Sequence, residues 1–140
     1  MTRVTSVYPV LMVDDVPAAV AFFRDHLGFG TTFESDWYVS LARPEGHELA
    51  VLQADHPTVP DTHRGARAAG SLLNVEVEDV DAEFARMVGD AGLEPVRDLR
   101  SEDFGQRHFI VRGPEGVLVD VITPIPPAAH FAEAFAAGGA

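Results

Sequence analysis

The apolar positions of this chain switch between two periods, and the switching divides it into elements. Residues 4–13 are rich in Val and alternate in the manner of a strand. Asp14 or Asp15 then caps a helix with Pro17 in its first turn. Ala18, Ala19, Phe22, Phe23 and Leu27 follow at helical spacing, and Gly28 supplies the stop. Strands are predicted over 30–35, 37–43 and 47–54. A polar, Pro-containing stretch, ADHPTVPDTHRGARAAG, links this half to the next. The second half predicts a strand over 71–78, a helix over about 80–91 stopped by Gly92, and strands near 94–100, 105–112 and 117–123. Pro126-Pro127 closes the sheet region, and a short Ala-rich helix is expected over 127–137.

The pattern is written twice. Shifted by 64 positions, Val13-x-Asp15-Val16 meets Val77-x-Asp79-Val80, and Leu27-Gly28-Phe29 meets Ala91-Gly92-Leu93. Pro44-Glu45-Gly46 recurs as Pro114-Glu115-Gly116, shifted by 70, so the second copy carries about six extra residues in a loop. The expected fold class is α+β, with two βαβββ modules over 4–54 and 70–124 and a linker over 55–69. Neither copy buries its sheet and helix well alone, so the two are expected to share one assembly within residues 1–140.

Alternation along the strands sorts side chains into two faces. Leu11 and Val13, Leu49 and Val51, Leu73, Val75 and Val77, and Val117, Val119 and Val121 should face the helices. The opposite face then carries Tyr8, Val10 and Met12, Glu48, Ala50 and Leu52, Leu72, Asn74 and Glu76, and Leu118, Asp120 and Ile122. A solvated face would be more polar, and a pure core would lack the acid; a partly apolar cleft fits the mixture.

The 140 residues suffice for one cored assembly and not for two ordinary domains. Ten Lys+Arg, all of them Arg, stand against 22 Asp+Glu, a net charge of -12. That charge disfavours nucleic acid and anionic membranes as partners. The second half carries the larger share, with 13 acids and 5 Arg from residue 70 onward. With no Cys, thiol chemistry, disulfides and iron–sulfur ligation are excluded. No signal-like or membrane-length apolar run is seen, and a cytoplasmic location is expected.

Candidate chemistry is sparse. Asp120, set among Val residues, reads either as a pocket acid or as one paired to an Arg. Tyr8 reads as a packing aromatic or a ligand contact, and Asn74 as a ligand contact or a partner for backbone groups. Trp37 and Tyr38 are adjacent on a strand, so one faces inward and the other outward. His47, His56 and His63 lie in or near loops and read as solvated. His108, beside Arg107 in FGQRHFIV, reads equally as a cross-strand residue and as a catalytic one. No HExxH, HxH, GxSxG, P-loop or correctly placed GxGxxG occurs.

The duplicated unit, with its V-x-D-V, its helix ending LGF and its PEG turn before the closing strand, resembles the glyoxalase/bleomycin-resistance/extradiol-dioxygenase superfamily, also called vicinal oxygen chelate proteins. FGQRHFIVRGPEGVLVDVI is similar to the family's closing hairpin. The resemblance implies modules that each wrap half of a curved, cup-like mixed sheet, often across a homodimer with exchanged modules. It also implies a divalent metal, in the enzymes, held by His, Gln and Glu of the first and last strands of each module. At those positions this chain has Tyr8, Leu72, Ala50 and Asp120. One carboxylate and one phenol make a poor site for a divalent ion.

The expectation is therefore a member closest in character to the metal-free antibiotic-binding resistance proteins, with neither a metal nor a cofactor and no catalytic residue. It would bind and sequester a drug-like natural product through Tyr8, Met12, Leu72, Asn74, Leu118 and Asp120, with Trp37, Phe104 and His108 at the rim. Its partners would be a second copy of itself and the small molecule. The alternative is a glyoxalase- or dioxygenase-like enzyme, or a metal-free isomerase or lyase using Asp120 or His108 as base.

Overall fold

A computed structural model describes residues 1–135. The elements run β1 (Val10–Val13), α1 (Val16–Leu27), β2 (Gly30–Glu34), β3 (Tyr38–Ala42) and β4 (Glu48–Gln53) in the first half. The second half has β5 (Leu72–Glu76), α2 (Val80–Phe84), β6 (Pro95–Glu102), β7 (Gln106–Arg112), β8 (Leu118–Pro124) and the single turn α3 (Ala129–Ala132). This is α+β with two βαβββ modules, each built on a four-stranded mixed sheet, β1-β4-β3-β2 and β5-β8-β7-β6. Contacts divide the chain into two compact units, Met1–Gly70 with Gly113–Gly116, and Ser71–Arg112 with the chain from Val117.

In the first unit, the Asp15 carboxylate accepts the Ala18 N–H at 3.0 Å and starts α1 with Pro17 in the opening turn. The buried stripe is Val16, Ala19, Phe23 and Leu27; Ala18 faces outward. Phe23 is fully buried, with the edges of Phe22 and Phe29 against it at 5.6 and 6.0 Å between ring centres. Gly28 ends the helix in the left-handed conformation, φ 69°, which favours glycine, and the Arg43 guanidinium donates to the Leu27 carbonyl beside it.

Strand β1 is shorter than the predicted 4–13. It runs parallel to β4, with Val10 opposite Ala50, and β4 begins at Glu48, so residues before Tyr8 have no strand to pair with. Pro9 has no N–H and contributes only its carbonyl, to Ala50 N. The stretch 55–69 is folded onto its unit rather than left as a loose linker: Val59 is buried, Arg64 donates to the Val59 and Pro57 carbonyls, and Ala68 N donates to Met12 O. The Glu115 carboxylate accepts the Asp14 and Asp15 N–H groups at 2.6 and 2.8 Å.

In the second unit, Asp79 caps α2 through the Ala82 N–H, as Asp15 caps α1. The predicted helix over 80–91 does not stay regular. After Phe84 it widens into π-helical turns over Ala85–Asp90, across Gly89, and Ala91 N reaches back to Arg86 O. Thr123 Oγ1 accepts the Val80 N–H and donates to Val77 O, tying β8 to the helix start. Phe109, Val111, Val117, Val119, Val121, Val80 and Met87 form the core. Helix α2 packs on β7 and β8, and Leu73 and Val75 of β5, with Val77 just after it, are only half-buried. The helix expected over 127–137 is one turn, and its last residues, 136 and 137, lie outside the described residues.

Candidate functional site

The side chains facing away from α2 make the most chemically distinctive cluster. Antiparallel pairing sets His108 opposite Ile122 and Ile110 opposite Asp120, so His108 and Asp120 are diagonal neighbours on one face. His108 Nδ1 lies 2.8 Å from Asp120 Oδ1, and its Nε2 lies 2.8 Å from Glu102 Oε2. Arg100 donates to the same Glu102 oxygen at 2.9 Å. His108 and Asp120 are 5% and 6% exposed, the two buried polar residues of the described chain. The Asp120 pairing is thus to a histidine, not to an arginine.

Proton counting fixes the charge of this trio. With both carboxylates ionised, each ring nitrogen must carry a proton to donate; with a neutral ring, one carboxyl must keep its own. Either arrangement leaves one net negative charge. Burial pushes the Asp120 carboxyl above its ordinary value, against the lowering effect of His108. Glu102 is held below its ordinary value by the bonds from His108 and then Arg100. Both imidazole nitrogens are already engaged, so the ring positions its carboxylates and has no free lone pair with which to take a substrate proton.

Around this trio the parallel β5–β8 pairing sets Asn74 beside Asp120 and Leu72 beside Leu118. Leu72 is 48% exposed, Asn74 is exposed and Leu118 is half-buried. The Phe104 ring stands edge-on to His108 at 6.3 Å. Six of the expected ligand residues, Leu72, Asn74, Phe104, His108, Leu118 and Asp120, are therefore gathered on one face of the second unit.

Tyr8, Met12 and Trp37 belong to the first unit. Tyr8 is 44% exposed and its hydroxyl hydrogen-bonds that of Tyr38; burial, then this bond, raises the Tyr38 phenol above its ordinary value. Met12 is half-buried. Trp37 stacks flat on His56, 3.6 Å between ring centres and 6° between planes. His56 is therefore not simply solvated: it is half-buried, and its Nδ1 accepts the Thr58 N–H. Glu102 is the residue that sequence reasoning did not single out, and Tyr38 was named there only as the neighbour of Trp37. Glu102 stands beside a single further acid, Asp103, next to a turn and gave no signal; Tyr38 shares the register position that His108 holds in the other module.

The family pattern described as Glyoxalase/Bleomycin resistance protein/Dioxygenase superfamily matches residues 5–121. This chain belongs to that superfamily. Among solved structures, a glyoxalase/bleomycin resistance protein/dioxygenase from Nocardioides is 20% identical with a TM-score of 0.71, covering 89% of this chain and 86% of its own. A lactoylglutathione lyase from Agrobacterium tumefaciens is 19% identical, TM-score 0.68, over 87% and 96%. A bleomycin-binding protein from Streptomyces verticillus, solved with copper(II)-bleomycin, is 25% identical, TM-score 0.57, over 88% and 98%. No curated protein matches the chain.

The superfamily includes metal enzymes, and this member's residues do not fit the ion. Leu72 and Ala50 offer no donor atom, and Ala50 is fully buried. The Tyr8 hydroxyl is bonded to Tyr38, and Asp120 Oδ1 to His108. Among the described residues no group of three or more His, Cys, Asp or Glu is placed to hold a metal ion. None of the described helices is long and apolar enough to cross a membrane.

Proposed function

We propose that this superfamily member binds a drug-like organic molecule of the natural-product antibiotic class and sequesters it, without a resident metal. The observation that carries the reading is the character of the faces turned away from the helices. Tyr8, Val10, Leu72 and Phe104 leave 44%, 39%, 48% and 42% of their surface open, and Tyr8 and Leu72 stand where an enzyme's donors would be expected. Apolar and aromatic side chains in that setting suit a flat or bulky ligand, and the charge of -12 favours a cationic one. The likeness to a bleomycin-binding protein supports the same direction. In this reading the modules 4–54 and 70–124 act as one functional domain, the protein works as a cytoplasmic homodimer, and Met12, Trp37, Asn74 and Leu118 add to the lining.

Native mass spectrometry and calorimetric titration against a panel of aromatic antibiotics test the proposal. Stoichiometric binding of at least one compound with a Kd of about 10 μM or tighter, roughly 7 kcal/mol, is expected. Absence of binding across the panel, or a stoichiometric divalent ion needed for turnover, overturns it.

One observation favours a second reading, a metal-free isomerase or lyase: Asp120 is a buried acid with a raised pKa, held in position by an imidazole. Under that reading bound ligand is converted, which NMR of the recovered ligand detects, and Asp120→Asn stops conversion while leaving binding.

A further inference from the structure

We infer that the segment following β8, residues 125–135, is a strap that closes the His108 end of the second module's open face, and that an aromatic ring of the ligand competes with it for Phe104. The competition rests on the ligand-binding reading above; the strap does not. After β8 the chain turns back across the β6–β7 turn. Ile125 N donates to Gly105 O at 2.9 Å, and Ala128 N donates to Asp103 O at 2.8 Å. Pro126 and Pro127 between them have no N–H, so these two flanking donors are the backbone anchors. The turn is shaped for the strap: Gly105 has φ +105°, and a Cβ there would stand 3.0 Å from Ile125 O and 3.4 Å from Pro127 Cβ.

The anchors deliver an aromatic side chain to the site. Phe131 meets Phe104 edge-on at 6.3 Å, and Phe104 meets His108 edge-on at 6.3 Å, so three rings run in series from the strap to the buried imidazole. His108 and Ile122, on the two central strands, are 5% and 0% exposed, whereas Leu72 and Asn74, on the edge strand β5, remain open. Glu102, the last residue of β6, pins the strand leading into the turn by its bond to His108.

The strap is held far less firmly than the sheet beneath it. α3 is a single turn with no side-chain cap, too short to be stable by itself. Segments with so few anchors open on their own while the body of the domain stays folded. A ligand ring that stacks on Phe104 takes the place of Phe131, and the closed fraction of the protein lowers the apparent affinity for that ligand.

Amide hydrogen exchange on the full chain, with titration of the planar aromatic cation proflavine, tests both parts. Phe131→Ala should speed exchange at Ile125 and Ala128 about fivefold while Val119 and Val121 of β8 keep their rates. It should also tighten proflavine binding about threefold. Phe131→Leu, which keeps the apolar bulk, should fall between. Unchanged exchange at Ile125 and Ala128 in Phe131→Ala overturns the strap, whether or not any ligand binds. Faster exchange with unaltered or weaker proflavine affinity overturns the competition. If neither the parent protein nor Phe131→Ala binds any aromatic probe, the ligand-binding reading fails and the competition with it, and the exchange rates still decide the strap.

Discussion

The two modules place different chemistry on one scaffold. Val10 beside Ala50 in the first sheet corresponds to Asn74 beside Asp120 in the second, and Tyr38 opposite Leu52 corresponds to His108 opposite Ile122. The backbone register is the same; the side chains differ from apolar and phenolic to amide, acid and imidazole. The helices diverge as well. α1 runs 12 regular residues, while α2 runs five and widens into π turns, although a left-handed glycine, Gly28 or Gly92, follows each. The capping aspartates, Asp15 and Asp79, are alike. Duplication thus preserved what starts a helix and pairs a strand, and the face away from the helices was free to change.

The largest expected effect breaks the polar half of this comparison. His108→Ala leaves Asp120 and Glu102 without the group between them, and should cost about 3–5 kcal/mol in urea denaturation, as for any buried pair that loses one partner. Tyr38→Ala, at the matching position, should cost clearly less, because Tyr38 is only half-buried and its partner Tyr8 is open to water. Equal losses would mean that the register match does not carry the difference in chemistry.

A smaller effect is expected from copying the second module into the first. Ala50→Asp places a carboxylate at a fully buried position with no imidazole on the facing strand, and should cost about 2–3 kcal/mol by the same measurement. Pairing it with Tyr38→His restores the second module's arrangement and should recover part of the loss. The caps sharpen the comparison from the other side. Asp15→Ala and Asp79→Ala should each cost about 1 kcal/mol, and by similar amounts, since both accept a single N–H of the first turn at 3.0 Å.

The smallest expected effect is on the pH dependence of melting. Glu102 has its pKa lowered in the folded protein, so its stabilisation is present above the ordinary carboxylate range and is lost as pH falls through its lowered value. Asp120 has its pKa raised, so protonation on acidification from neutral pH relieves the cost of its burial. Melting temperature should therefore hold or rise slightly as pH is lowered from 7, then fall. Asp120→Asn should remove the first limb and Glu102→Gln should soften the second. An unaltered profile in both variants would show that the trio does not titrate as a unit.

Much of the fold could be read from the chain because its signals are local. Asp15 with Pro17, Asp79, and the glycines at 28 and 92 act within one turn of themselves, and β-branched alternation at Val117, Val119 and Val121 reports a buried face without reference to any other strand. The site was harder to read because its contacts are not local. Asp120 invited an Arg partner, but the residue that reaches it is set by β7–β8 register, twelve positions away. Glu102 looked like one more surface acid until the β6–β7 hairpin turned it toward His108. The shortened β1 and the folded 55–69 stretch depend on where β4 starts and on which carbonyls Arg64 can reach, and neither is written in the periodicity.

By itself, then, the sequence determined a duplicated βαβββ pattern, the helix caps and stops, the acidic balance and the loss of donors at Leu72 and Ala50, because each depends on residue type and near-neighbour spacing. Only the tertiary structure decided that His108 lies between two carboxylates, that Trp37 stacks on His56, and that the chain after β8 returns across Gly105 to set Phe131 against Phe104. These features depend on strand register and on turns meeting across space, where a shift of one residue would turn every side chain to the other face.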